Sequence, residues 1–158
     1  MRRLIIFSLS LANSLAMAVA QDMRPQATSY CSDLKQVVDL ALSKERFAAI
    51  SGQPRQGNFL DTKLALPNWK DCSLYGLATY TCDSSDMETA EEAERARSTI
   101  LDQIMSCLGE GWAEPTDRSS PTYVVLHHAL RPVSITLSTD QTPDKKHIVH
   151  LILFVRRN

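Results

Sequence analysis

No Cys-x-x-Cys pair, no Asn-x-Ser/Thr triplet and no Gly-x-Ser-x-Gly turn occurs in this 158-residue chain. The first absence removes the close thiol pair that lowers a cysteine pKa in redox enzymes, and weakens any zinc reading. The second leaves no acceptor for N-glycosylation. The third removes the strained turn that presents a serine nucleophile in α/β-hydrolases. Glycine is scarce, at five residues. Gly109-Glu110-Gly111 follows a helical stretch instead of joining a strand to a helix, so it does not read as a phosphate cradle. Aromatic residues make up only 6%, so the core must be mainly aliphatic. Beyond residue 20 no apolar run approaches the roughly 20 residues a membrane helix needs; Ile148–Val155 is far too short.

The first twenty residues differ from the rest. Arg2 and Arg3 precede an apolar run from Leu4 to Val19, which ends in Ala18-Val19-Ala20 ahead of Gln21. A short positive region, an apolar stretch and a small-x-small end predict a cleaved signal peptide at 1–20 and a periplasmic or secreted location. Removing 1–20 takes away two arginines and no acid. That leaves 15 basic against 18 acidic side chains, a net of −3 with histidine neutral. Such a surface offers no electrostatic reason to bind nucleic acid, nor a membrane once the leader is gone.

All four cysteines, Cys31, Cys72, Cys82 and Cys107, lie in the exported part. An even number in an oxidising compartment predicts two disulfides, and three connectivities are open. The stretch from Cys72 to Cys82 reads as a hairpin bent near Gly76, which would set those two cysteines opposite one another. Cys31 opens one helical stretch and Cys107 closes another. The favoured pairs are therefore Cys72–Cys82 and Cys31–Cys107. Trp69, three residues before Cys72, is expected to pack on the hairpin bridge.

Residues 21–29 are polar, contain Pro25 and read as a flexible arm. A helix is expected from Ser32, with Leu34, Val37, Val38, Ala41, Leu42 and Ala49 on its apolar stripe, ending at Gly52 and Pro54. Residues 53–70 read as a loop with a short extended piece at Lys63–Leu66. After the hairpin, Ser85 and Glu88 have the spacing of a capping box. Asp86, Glu88, Glu91 and Glu92 suit a positive helix N-terminus and read as a solvated face instead of a cation site. This second helix should run to Leu108 and stop at Gly109, with Ala93, Ala96, Ile100 and Ile104 facing inward. Residues 109–121 read as a loop. The period then becomes two. Tyr123–Leu130 is a strand broken at Arg131-Pro132, Val133, Ile135 and Leu137 alternate with polar residues, and His147–Val155 is apolar on both faces.

These elements predict one α+β domain at 30–158. Two helices lie on one face of an antiparallel sheet of about five strands, in the order α-β-β-α-β-β-β, stapled by disulfides. No cofactor is implied. His127 and His128 are adjacent, and His147 and His150 differ by three, so each pair diverges across its strand. One histidine from each pair gives at most two ligands, short of a zinc site. The expected function is an exported, non-enzymatic binding module, an inhibitor- or immunity-type protein acting on another protein, with a homodimer as the competing use of the same surface. Its binding residues would be Ile148, His150, Ile152 and Phe154 on an exposed terminal strand that adds to a partner's sheet, with Trp69 or Trp112 as anchors. The competing expectation is a small exported hydrolase with histidine or carboxylate chemistry, His128 and His150 being the histidine candidates.

Overall fold

The computed structural model describes residues 24–114, 120 and 122–156. The expected leader at 1–20, and residues 21–23 of the expected arm, lie outside them. Helix α1 spans Arg24–Leu42 and helix α2 spans Ala90–Leu108. The strands are β1 (Ser51–Pro54), β2 (Phe59–Thr62), β3 (Asp71–Tyr75), β4 (Thr79–Asp83), β5 (Trp112–Ala113), β6 (Tyr123–His128), β7 (Val133–Gln141) and β8 (His147–Val155). All eight form one sheet in the order β1-β2-β3-β4-β8-β7-β6-β5, antiparallel at every pairing. The chain is thus a helix followed by a four-strand meander, twice over, with the last strands of the two meanders joined side by side.

The α+β class, the two helices, the antiparallel sheet and both disulfides agree with the sequence reading. The strand count and order do not. Among the described residues the sheet has eight strands, not about five, and the order is α-β-β-β-β-α-β-β-β-β. The additional strands are the short ones: Ser-Gly-Gln-Pro, Phe-Leu-Asp-Thr and Trp-Ala. None is long enough to show a period of two, so pairing with a neighbour is what makes them strands. The expected extended piece at 63–66 is not a strand.

The helix boundaries move as well. Helix α1 begins at Arg24, eight residues before Ser32, so residues 24–29 of the expected arm are helical. Pro25 sits in the first turn, where a missing amide hydrogen breaks no helical bond. The helix ends at Leu42, ten residues before Gly52. A 3-10 helix follows at Arg46–Ile50, burying Phe47 and Ile50. Gly52 belongs to β1, where a Cβ would come 2.8 Å from that of Asp61; the strands approach too closely there for any side chain. At α2 the capping box is Thr89 with Glu92, not Ser85 with Glu88. Thr89 Oγ1 accepts the Glu92 amide hydrogen at 3.2 Å, and Glu92 Oε2 accepts the amide hydrogens of Glu88 (3.0 Å) and Thr89 (3.2 Å). Both residue pairs share the spacing; the turn of chain after β4 decides which one stands at the helix start.

Both helices pack on the sheet face that carries Val149, Leu151 and Leu153, all fully buried. Register extends that face outward: Leu151 pairs with Cys82 and Leu137, and Leu153 with Tyr80 and Ile135. Leu34, Val37, Val38 and Ala41 from α1, with Ala93, Ile104 and Cys107 from α2, complete the core. Cys72 and Cys82 are direct cross-strand partners with Cα atoms 4.1 Å apart. Cys31 and Cys107 tie α1 to α2. Among the described residues, no helix is long and apolar enough to cross a membrane.

Candidate functional site

The helices leave the second face of the sheet uncovered by any described element, and the alternation of β8 dictates what it presents. Ile148, His150, Ile152 and Phe154 all point there and are half-buried. Cross-strand register aligns them with their neighbours in rows. The central row is Asp61, Ser73, Thr81, Ile152, Thr136 and Val125. On one side lies Phe59, Tyr75, Thr79, Phe154 and Ser134. On the other lies Asp71, Asp83, His150, Ser138 and Tyr123.

The aromatic end is open. Phe59 and Tyr75 are 40% and 48% exposed, and their rings meet edge to face at 5.2 Å. Leu77, in the adjoining turn, is 43% exposed. Tyr123 is exposed at the far side of the face. The opposite margin is ion-paired. Arg55 reaches Asp71 through both terminal nitrogens, at 2.7 and 3.0 Å, and Asp61 through Nε. Those two carboxylates, Asp71 first, raise the arginine pKa above its ordinary value. Lys70 pairs with Asp86 at 2.8 Å, and Lys146 pairs with Glu88. An aromatic row at one margin, a mixed central row and mutually neutralised charges at the other give this face the composition of a docking surface.

His150 Nδ1 bonds Asp83 Oδ1 across the β4–β8 pair. Ser138 is the residue opposite His150 on the other side, so Asp83, His150 and Ser138 stand in line across three strands. The serine hydroxyl is not engaged by the histidine; it donates to Asp140 Oδ2 at 2.9 Å. His128 lies on the helix-side face with Leu126, while His150 lies on the uncovered face, so the two histidines cannot share one site. His128 Nδ1 accepts the amide hydrogens of Leu130 (3.0 Å) and Arg131 (3.1 Å), holding the turn after β6. Among the described residues, no group of three histidine, cysteine, aspartate or glutamate side chains is placed to hold a metal ion.

Two details of the expected interface are corrected. β8 is the fifth strand of eight and is bonded on both sides, so it has no free edge to add to another sheet. Trp112 is 7% exposed and packs edge to face on His128 at 5.4 Å, so it is no surface anchor. Trp69 is half-buried against the core cluster that contains Tyr30 and Cys72.

No family model, curated protein or solved structure matches this chain.

The chemistry of the uncovered face therefore rests on its own residues. Several of them, Phe59, Tyr75, Tyr123, Arg55, Asp61, Asp71 and Asp83, were not singled out by sequence. Tyr75 and Asp71 were accessible in principle, since alternation from Cys72 and Leu74 assigns them to the opposite face. Phe59, Asp61 and Arg55 were not, because nothing local marks β1 and β2 as strands.

Proposed function

We propose that this chain is an exported, disulfide-clamped binding module whose uncovered sheet face docks on another protein, in an inhibitor- or immunity-type role. The observation that carries the reading is the aromatic row Phe59, Tyr75 and Phe154 beside Ile152, with exposed aromatic edges and a charge-neutralised margin. Docking is by a face, since β8 is interior to the sheet. Two disulfides and the predicted leader support export, where paired cysteines stay oxidised.

A photo-crosslinking side chain tests this at Tyr75 and at Phe59, with exposed Lys35 on α1 as the control position. One defined protein adduct from the sheet-face positions, lost on Phe154→Asp, supports the reading. No adduct, or the same adduct from Lys35, overturns it. An adduct to a second copy of the chain identifies the face as a homodimer interface instead.

A hydrolase is the second reading, favoured by one observation: Asp83 orients His150, with Ser138 next in line. A fluorophosphonate probe would label Ser138, and His150→Ala would abolish that labelling. The Ser138–Asp140 hydrogen bond weighs against it, because the nucleophile is turned away from its base.

A further inference from the structure

A cleft of about 300 Å3 opens on the helix side of the molecule, between α1, the end of α2 and the β5–β6 edge. Its apolar lining is Val38, Leu108 and Trp112. Four charged side chains also line it, two of each sign. Arg131 and Asp39 engage one another at 3.4 Å. Lys35 and Glu110 remain, and among the described residues neither side chain has a hydrogen-bond or ion-pair partner. One unpaired cation stands on α1 and one unpaired anion on the turn after α2.

The donors extend that asymmetry. His128 also lines the cleft. Its Nδ1 is occupied by two backbone amide hydrogens, so the neutral ring carries its own hydrogen on Nε2. A Cβ at position 111 would sit 3.1 Å from that nitrogen, and Gly111, with φ of 93°, leaves the space clear. On the anionic side, Glu110 follows the C-terminus of α2, where unpaired carbonyls carry partial negative charge. The Cys31–Cys107 bridge fixes the two walls together: Lys35 is one turn along α1 from Cys31, and Leu108 is the residue after Cys107.

We propose that this cleft binds a free α-amino acid as its zwitterion. The carboxylate is held by Lys35 and the His128 Nε2–H, the ammonium by Glu110, and an aliphatic side chain rests on Val38, Leu108 and Trp112. The volume matches the small end of ligand pockets, and one unmatched charge of each sign among apolar lining residues is complementary to such a molecule. The cleft is separate from the uncovered sheet face, so this inference stands whether or not that face docks a protein.

The test is a 1H–15N titration of the disulfide-intact protein with L-leucine, L-valine and L-isoleucine. N-acetyl-L-leucine, which lacks the ammonium, and L-leucinamide, which lacks the carboxylate, serve as blocked probes. The expected result is saturable shifts at Leu108, Gly111 and the Trp112 indole for at least one of the free amino acids. Each blocked probe, and each of Lys35→Met and Glu110→Gln, should weaken binding by about tenfold, the loss of one charge-assisted contact. Both substituted residues are exposed, and an unchanged thermal midpoint will show that the variants fold. Saturable binding unaffected by Phe154→Asp places the site in the cleft. No saturable shift with any of the three amino acids, equal binding of the blocked probes, or full affinity in both variants overturns the proposal.

Discussion

Cys31 of α1 and Cys107 of α2 are bonded across 76 residues of chain, with Cα atoms 4.9 Å apart. Cys72 and Cys82 close a loop of only ten. In the chain-entropy description, a bridge stabilises by restricting the unfolded chain, and the longer loop restricts more: about 4.5 kcal/mol against about 2.7 kcal/mol. Replacing Cys31 and Cys107 together by alanine should therefore lower unfolding free energy by about 2 kcal/mol more than replacing Cys72 and Cys82. Denaturant unfolding of the two double variants checks this; equal losses would show that the interhelix bridge works by another route.

The two faces of β8 predict a sharp alternation. Leu151→Ala and Leu153→Ala each remove a fully buried side chain beneath the helices and should cost about 2–5 kcal/mol. Ile152→Ala, on the uncovered face, should cost no more than about 1–2 kcal/mol, because that side chain is already partly in water. A larger loss at Ile152 than at its neighbours would mean that the outer face is covered in solution.

Helix α2 discriminates between two capping pairs of identical spacing. Thr89→Ala should cost about 1 kcal/mol, since its hydroxyl satisfies an otherwise orphaned amide hydrogen. Ser85→Ala should fall within about 0.5 kcal/mol of the parent protein, as a surface change away from any cap. Thermal midpoints of the two variants give the answer, and the reverse order would move the helix start back to Ser85.

Buried phenols predict alkaline sensitivity. Burial raises the Tyr30 phenol from 10.0 to about 12, and raises Tyr80 in the same direction. The fold thus favours the protonated tyrosine. Its contribution is intact below pH 10 and is lost as pH rises toward 12, by about 1.4 kcal/mol per pH unit for each such group. Denaturant midpoints should fall through that window. Tyr30→Phe should make the fall shallower at little cost near neutral pH, because the hydroxyl lies near Trp69 but makes no hydrogen bond of ordinary geometry among the described residues. An unchanged slope in the variant would refute the assignment.

Several features were legible in the residues alone, and each has a local cause. The apolar stripe through Leu34, Val37, Val38 and Ala41 marks α1, as Ala93 and Ile104 mark part of α2, because helical spacing sets one face of the chain inward whatever lies beneath. Strict alternation in Val133, Ile135 and Leu137 marks β7 in the same way. Both disulfides followed from placing cysteines on those elements: two equidistant from a bend, two on neighbouring helices. What tertiary structure alone decided is who neighbours whom. β1, β2 and β5 are too short to announce themselves and exist by pairing. The place of β8 inside the sheet depends on β4, whose paired residues lie 67 to 75 positions away in sequence. The uncovered-face site follows from those placements, since Phe154 joins the row of Phe59, Tyr75 and Thr79 only when strands from both halves of the chain lie side by side. Periodicity reports which way a side chain points; the neighbour it meets is set by long-range hydrogen bonding and packing, which no short window of residues contains.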